Sequence, residues 1–367
     1  AYGGDDGPAS NHGLGSGKNY KGQDALTFNY TAKFDLNTSF TGKDLLYTRI
    51  KTGNFSSNFY DQKANDRGDS FGQSSLADLA VGNSNKDALK VDKLWYQFPV
   101  GSEFTVYVGP KIESYYMLGS TPSVYRQILK QFKLGGYYGA LGASTSPGAG
   151  LAWRQSKDDR FAPRFTVSTS YTASQGDHSC VRSTTNDKDC GGIGGNGSKA
   201  RWQSQIAYGN PQWNISGVYQ YAQAGGFKGY KTNSGAPKGY DGVNSFALRA
   251  WWQPKESGWM PSVSTGWGIS NFNAEDDKGG TSQGWFVGLN WKDAFVKGNL
   301  LGAAIAQPQF LTSTEASGTP DDGNYAMELY YQFQVTDNIS VTPTIFYLSR
   351  PYGQLTGSSE RYGGEGA

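Results

Sequence analysis

The stretch ALTFNYTAKFDLNTSF, residues 25–40, decides the fold. Leu26, Phe28, Tyr30, Ala32, Phe34, Leu36 and Phe40 alternate with Thr27, Asn29, Thr31, Lys33, Asp35, Asn37 and Ser39. A period of two over this length is a strand with one apolar and one polar face. It exceeds the usual soluble strand of about 5–6 residues and suffices to cross a bilayer at a tilt, which takes about 9–11. The same alternation recurs outward from this stretch. Leu94, Tyr96 and Phe98 precede Phe104, Val106 and Val108; Phe165, Val167 and Tyr171 precede Trp202, Ile206 and Tyr208. Further on come Trp213, Ile215, Tyr219 and Tyr221, then Phe246, Leu248 and Trp252, then Val263, Trp267 and Ile269, then Trp285, Val287, Leu289 and Trp291. The last two sets are Tyr325 to Phe333 and Ile339 to Tyr347. With the shorter patterns at 46–50, 151–153 and 300–306, about 14 strands are readable.

Composition agrees with these strands. The 367 residues include 51 Gly, 10 Trp, 24 Tyr and 19 Phe, and only 17% are charged. So many aromatics exclude a disordered chain, and the shortage of Ala, Leu, Glu and Lys excludes a helical bundle. The mean hydropathy of −0.59 and the lack of any apolar run near ~18 residues leave no room for a transmembrane helix. It is compatible with a membrane barrel, whose strands show lipid one face and water the other. A formal net charge of +2 gives no reason to expect nucleic acid as a partner.

Connections alternate between short and long. Short ones fall at 41–44, 99–102, 157–163, 209–212, 254–260, 292–297 and 336–338; long ones lie near 56–89, 110–148, 172–200, 222–243, 272–282 and 307–324. The fold class is therefore expected to be all-β, a transmembrane up-and-down antiparallel barrel with tight periplasmic turns and long outer loops. Aromatics at strand ends, Trp95, Tyr96, Trp252, Trp259, Trp285, Trp291, Tyr331 and Tyr347, would form the interfacial girdles. The barrel would occupy residues 25–351, with 1–24 an outer-side loop or terminal segment and 352–367 a terminal loop segment. Strand parity puts both ends outside, so one further strand at each end is expected, making about 16 when complete.

Several stretches resemble a known family. SFTGKDLLYTRIKTGNF (39–55), LWYQFPVGSEFTVYVGP (94–110), GASTSPGAGLAWR (142–154), SFALRAWWQP (245–254), SQGWFVGLNWKDAFVKGNLLGAAIAQP (282–308) and DNISVTPTIFYLSRP (337–351) are similar to cyanobacterial outer-membrane porins. These form the iron-uptake and carbohydrate-selective porin group. The resemblance implies a cyanobacterial outer-membrane location, outer-membrane lipid as surroundings, a homotrimer, and small solutes and inorganic ions as cargo, with iron and sugars among them. Members grip the cell-wall layer through an N-terminal periplasmic domain, and no stretch of this sequence matches it.

Enzyme chemistry is missing from the sequence. His12 and His178 both lie in loop sequence, with no zinc spacing and no G-x-S-x-G elbow. Gly192, Gly194 and Gly197 spell G-x-G-x-x-G without the strand before and helix after that a dinucleotide would need. The acidic pairs Asp276/Asp277 and Asp321/Asp322 sit in turns as solvated charge. No catalysis, cofactor or metal is expected. Cys180 and Cys190, in the 172–200 loop, fit a small loop disulfide in an oxidising compartment, two free thiols being the alternative.

Alternation assigns the charges. With the apolar face toward lipid, Lys33, Arg49, Lys51, Lys93, Arg154, Arg164, Arg201 and Arg249 point into the lumen against Asp35 and Glu328. That basic excess predicts a preference for anions, which Arg154→Glu or Arg249→Glu would weaken. The long 110–148 loop is the candidate constriction: SVYRQILKQFK (123–133) reads as a short amphipathic helix with Arg126, Lys130 and Lys133 on its basic face. The expected function is a porin for passive diffusion of inorganic ions and small hydrophilic solutes. Its rival is a secreted soluble β-rich protein that binds carbohydrate through Tyr and Trp.

Overall fold

The computed structural model describes residues 28–55, 79–80, 87–179, 191–227, 240–273, 279–314, 320 and 322–350. Fifteen strands follow one another in chain order: β1 (Thr31–Thr38), β2 (Leu45–Gly53), β3 (Lys90–Val100), β4 (Phe104–Ile112) and β5 (Ser146–Arg154). Next come β6 (Arg164–Ala173), β7 (Ala200–Asn210), β8 (Trp213–Gln223), β9 (Gly242–Trp252) and β10 (Ser262–Asn273). The sheet ends with β11 (Gly280–Lys292), β12 (Leu300–Thr314), β13 (Ala326–Thr336), β14 (Ile339–Val341) and β15 (Thr344–Leu348). Each strand from β1 to β13 pairs antiparallel with the next, and β14 and β15 both pair β13. Those last two occupy one strand position, interrupted where Pro343 has no N–H to give the ladder. The meander is the all-β topology that the alternation predicts.

Burial repeats the period of two. Along β7 and β9, the odd- or even-numbered polar set is buried while Ile206 and Leu248, on the opposite face, are 57% and 59% exposed. Ile345 reaches 75%. A soluble sheet would hide such a surface. An apolar face running continuously round the outside, with Ser, Thr, Gln and Asn packed on the inside, suits a barrel wall set in lipid.

Aromatics collect at the short-turn ends of this face. Phe165 and Tyr208 lie 4.5 Å apart, Tyr208 and Trp213 5.6 Å, and Tyr331 and Phe333 4.5 Å, while Trp291 donates to the Trp259 carbonyl at 2.9 Å. Trp95 departs from the girdle expected of it. Its register with Tyr47 puts it on the inner face, where it is 5% exposed in a cluster with Tyr47, Ile112 and Met117.

The turn SFTGKD has a chemical reason for its sequence. Asp44 accepts from the Ser39, Thr41 and Tyr96 hydroxyls at 2.8, 2.6 and 2.6 Å and from the Thr41 N–H at 2.7 Å. Gly42 takes the positive φ of 77° that closes the turn. The Thr41 hydroxyl first, then that of Tyr96, holds the Asp44 carboxyl well below the usual carboxylate range.

Candidate functional site

The connection between β4 and β5, residues 113–145, folds inward and lies against the inside of the wall. A backbone placed there has no ladder, and its buried N–H and C=O groups must find partners. The wall supplies them strand by strand. The Gly119 N–H donates to Ser168 on β6 at 3.0 Å; Ser120 exchanges bonds of 2.9 and 3.0 Å with Gln205 on β7. Trp251 on β9 donates to the Thr121 carbonyl at 2.9 Å, and Val124 donates to Ser264 on β10 at 3.1 Å. Arg126 donates its N–H to Asn290 on β11 at 2.8 Å, and its carbonyl accepts from Tyr330 on β13 at 2.5 Å.

At the far end stands Glu328. Its carboxylate accepts from the Ile128 and Leu129 N–H groups at 3.1 and 2.8 Å and from the Tyr125 hydroxyl at 2.8 Å. Tyr125, Leu129 and Phe132 pack there against Phe286, Leu300, Ala304, Ala306 and Tyr330 of the wall. Gly288 permits the approach, since a Cβ would lie 2.7 Å from the Tyr125 ring. The chain then reverses through Leu134, Gly135 and Gly136, all at positive φ. On the way back, Arg249 donates to the Leu134 and Gly136 carbonyls at 3.2 and 3.0 Å, and Gln203 and Gln220 to that of Ala140 at 2.6 and 3.1 Å. Arg201 ends the return, donating to the Ser144 hydroxyl and, at 2.7 Å, to that of Ser174.

This corrects the helix expected over 123–133. Residues 123–129 are not helical, and only a short 3-10 turn, Lys130–Gly135, forms. A helix would spend its N–H groups on its own carbonyls, whereas here Val124, Arg126, Ile128 and Leu129 direct theirs at wall side chains. A second segment, invisible to the pattern, joins the loop at its tip: Leu79 bridges Leu129, and the Ala80 N–H donates to the Ile128 carbonyl at 2.8 Å.

The inner face of β1–β3 differs: the 113–145 loop meets it at Tyr47, Lys93 and Trp95, while Lys33 and Asp35 beside them stay exposed. Register places Lys33, Asp35 and Asn37 opposite Lys51, Arg49 and Tyr47, and Lys93 opposite Arg49. Arg49 meets Asp35 at 2.6 Å, with side-chain exposures of 21% and 42%. Lys93 is 4% exposed and sits where the loop leaves and rejoins the wall, reaching Glu113 at 3.3 Å, Asp92 at 3.1 Å and Thr145 at 2.6 Å. The loop's lysines face this side. Lys133 lies 3.7 Å above the Tyr115 ring and 5.5 Å from that of Tyr137, which Lys130 also approaches at 5.5 Å. Burial lowers the Lys133 ammonium to about 8, with Glu113 opposing the shift.

The sequence-assigned charges therefore divide. Lys33, Asp35, Arg49 and Lys51 line the open wall, Arg126 is exposed on the loop, and Lys130 and Lys133 are half-buried beside Tyr115 and Tyr137. Arg154 and Arg164 stand at the short-turn ends of β5 and β6, Arg164 donating to the Asp159 and Arg160 carbonyls at 2.8 and 3.2 Å. Arg201, Arg249 and Glu328 are 1%, 4% and 3% exposed beneath the loop. Cys180 and Cys190 lie outside the described residues. Sequence reasoning passed over Ser168, Gln203, Gln205, Gln220, Ser264 and Asn290, although a row of inward amides and hydroxyls across consecutive strands is the signal of a backbone bound there.

Residues 6–363 match the family of carbohydrate-selective porins, the OprB family. The chain belongs to that family. Porins are channels rather than enzymes. Among curated proteins, the chain is 25% identical over 366 residues to the uncharacterized protein sll0772 of Synechocystis, covering 92% of this chain and 62% of that one. It is 25% identical over 355 residues to the uncharacterized protein alr4550 of Nostoc, covering 91% and 59%. The chain thus spans about three-fifths of the length of the curated relatives it matches. Among solved structures, a high-pH structure of OprB from Pseudomonas putida is similar, with a TM-score of 0.55, 16% identity, and coverage of 89% of this chain and 84% of that one. The shared fold is an outer-membrane porin barrel.

Proposed function

We propose that this porin is a passive diffusion channel of the cyanobacterial outer membrane, assembled as a homotrimer, whose conducting path follows the β1–β3 wall. The observation that carries this reading is the uneven covering of the lumen. The 113–145 loop packs against β6 to β13 and, through Tyr116 and Met117, against Tyr47 and Trp95, and what keeps access to water is the part of the β1–β2 wall carrying Lys33, Arg49 and Lys51 with Asp35. Water along that path removes the lipid desolvation barrier, and Arg126, Lys130 and Lys133 on the facing loop add to the basic side. Anions and uncharged small solutes are therefore the favoured cargo, sugars among them, while an iron cation would meet the opposing sign. The test is planar-bilayer reversal potential in a KCl gradient. A potential biased to chloride supports the reading; cation selectivity overturns the assigned path, and absence of channels overturns the function.

A further inference from the structure

Arg249 carries a charge that nothing in its surroundings answers. It stands on the inner face of β9 and is 4% exposed. Its guanidinium donates to the Leu134, Leu248, Trp267 and Gly136 carbonyls at 3.2, 2.8, 2.6 and 3.0 Å. Those bonds satisfy donors without supplying an opposite charge, and they leave one N–H of Nη2 without an acceptor. Among the described residues no carboxylate lies within ion-pair distance of Arg249, and no other titratable group acts on it from farther off. Glu328, the buried acid of the same loop, is engaged with Tyr125, Ile128 and Leu129. A lysine so placed could shed its proton, whereas an arginine stays charged. A buried charge with no counter-charge is costly even when it is hydrogen-bonded.

Beside the guanidinium, loop and wall enclose a cavity of about 400 Å³, its opening included, and Arg249 is the one charged residue in the lining. The floor is Gly268 on β10 and Gly284 on β11, opposite one another in the ladder; the roof is the returning limb of the loop at Gly136, Tyr137 and Gly139. The three atoms nearest to a Cβ built on Gly268 all belong to β9: the Phe246 carbonyl, the Ala247 Cβ and Arg249 Nη2, at 3.3, 3.8 and 3.9 Å. The loop therefore stands off from the floor at the point that Nη2 borders. At the β12 side Gln309, 8% exposed, bonds the Ser270 and Ser282 hydroxyls through Nε2 at 2.5 and 2.7 Å, while its Oε1 has no partner. Such an oxygen marks a place for a bound water.

We propose that this cavity holds a small monovalent anion of the halide class as the resident counter-ion of Arg249, with water joining it to Gln309. One leftover N–H and one unanswered charge match an ion that takes a single strong contact. A divalent oxyanion would bring a surplus charge into the same buried place. The anion answers the residue that holds the Leu134 and Gly136 carbonyls, and so ties the seating of the loop to the salt around the protein. The site stands whichever wall conducts.

The full chain in detergent tests it by two routes. Crystals grown with bromide in place of chloride are expected to give an anomalous peak within hydrogen-bond reach of Arg249 Nη2. The thermal transition is followed as chloride replaces gluconate at fixed ionic strength; a rise from about 1 to about 100 mM should raise the midpoint by a few degrees and saturate, as binding to the folded state alone requires. Sulfate should not reproduce that shift. Gly268→Val, which fills the floor and leaves Arg249 in place, should remove both the peak and the shift, as should Arg249→Gln, while Arg154→Gln keeps both. Bromide at exposed side chains alone, an adventitious ion only, overturns the site. So does a midpoint that rises equally with sulfate, or a shift that survives in Gly268→Val. Neither route reads current, so a protein that binds bromide at Arg249 and forms no channel keeps the site and overturns the channel.

Discussion

The β1–β3 wall and the β6–β13 wall are built from the same alternation, yet their inward charges do opposite things. On β1–β3, Asp35 and Arg49 pair side by side and stay open to water. On β9 and β13, Arg249 and Glu328 hold a loop backbone and are nearly sealed. A period of two tells which face a residue occupies, and only the path of the 113–145 loop tells whether that face is wet. The charges open to water are thus separated from those that hold the loop in place.

The largest effect that distinguishes the two walls should come from Glu328→Ala. It strands the Ile128 and Leu129 N–H groups and removes the Tyr125 bond, costing about 3–5 kcal/mol locally. The expected outcome is a released loop tip, higher single-channel conductance and an earlier thermal transition in detergent, with ion preference little changed. Next is Arg49→Glu, which reverses a wetted charge: the reversal potential is expected to move toward cations, while Arg249→Gln alters conductance and stability instead. Should Arg249→Gln shift selectivity as much as Arg49→Glu, the division between walls is broken.

A smaller effect follows from pH. Because Lys133 titrates near 8, raising pH from 7 to 9 removes its charge and should lower chloride preference, and Lys133→Met should abolish that pH dependence. The smallest is at the turn that begins the open wall. The carboxyl of Asp44 is depressed, so its stabilisation is complete above the unfolded value of about 4 and is lost as pH falls through its lower folded value. Asp44→Asn should lower thermal stability slightly at pH 7, and the gap to wild type should close under strong acid.

The barrel was legible in the sequence because Leu26 to Phe40 and its successors repeat with a period that lipid on one side and water on the other impose. Loop parity was legible for the same reason, since tight turns and long loops alternate with strand direction. The site was half legible. Lys33, Arg49 and Lys51 could be placed because β1 and β2 are regular, whereas the role of Arg201, Arg249 and Glu328 depends on residues more than 50 positions away in sequence that bond to them. The loop's own pattern misled: Val124, Ile128, Leu129 and Phe132 have helical spacing, but the N–H groups of Val124, Arg126 and Ile128 are taken by Ser264, Asn290 and Glu328. Trp95 differs for another reason: it shares the parity of the inward Lys93 and opposes Tyr47, so its place near a strand end says nothing of the face it occupies.

Water accessibility tests the central claim most directly. In a background with Cys180 and Cys190 replaced by serine, Arg49→Cys and Arg249→Cys channels are exposed to a charged thiol reagent during bilayer recording. The Arg49→Cys channel is expected to react within seconds to minutes and lose current, and the Arg249→Cys channel to stay unmodified. Equal reactivity at the two positions, or reaction at 249 alone, would contradict a lumen divided into an open wall and a covered one.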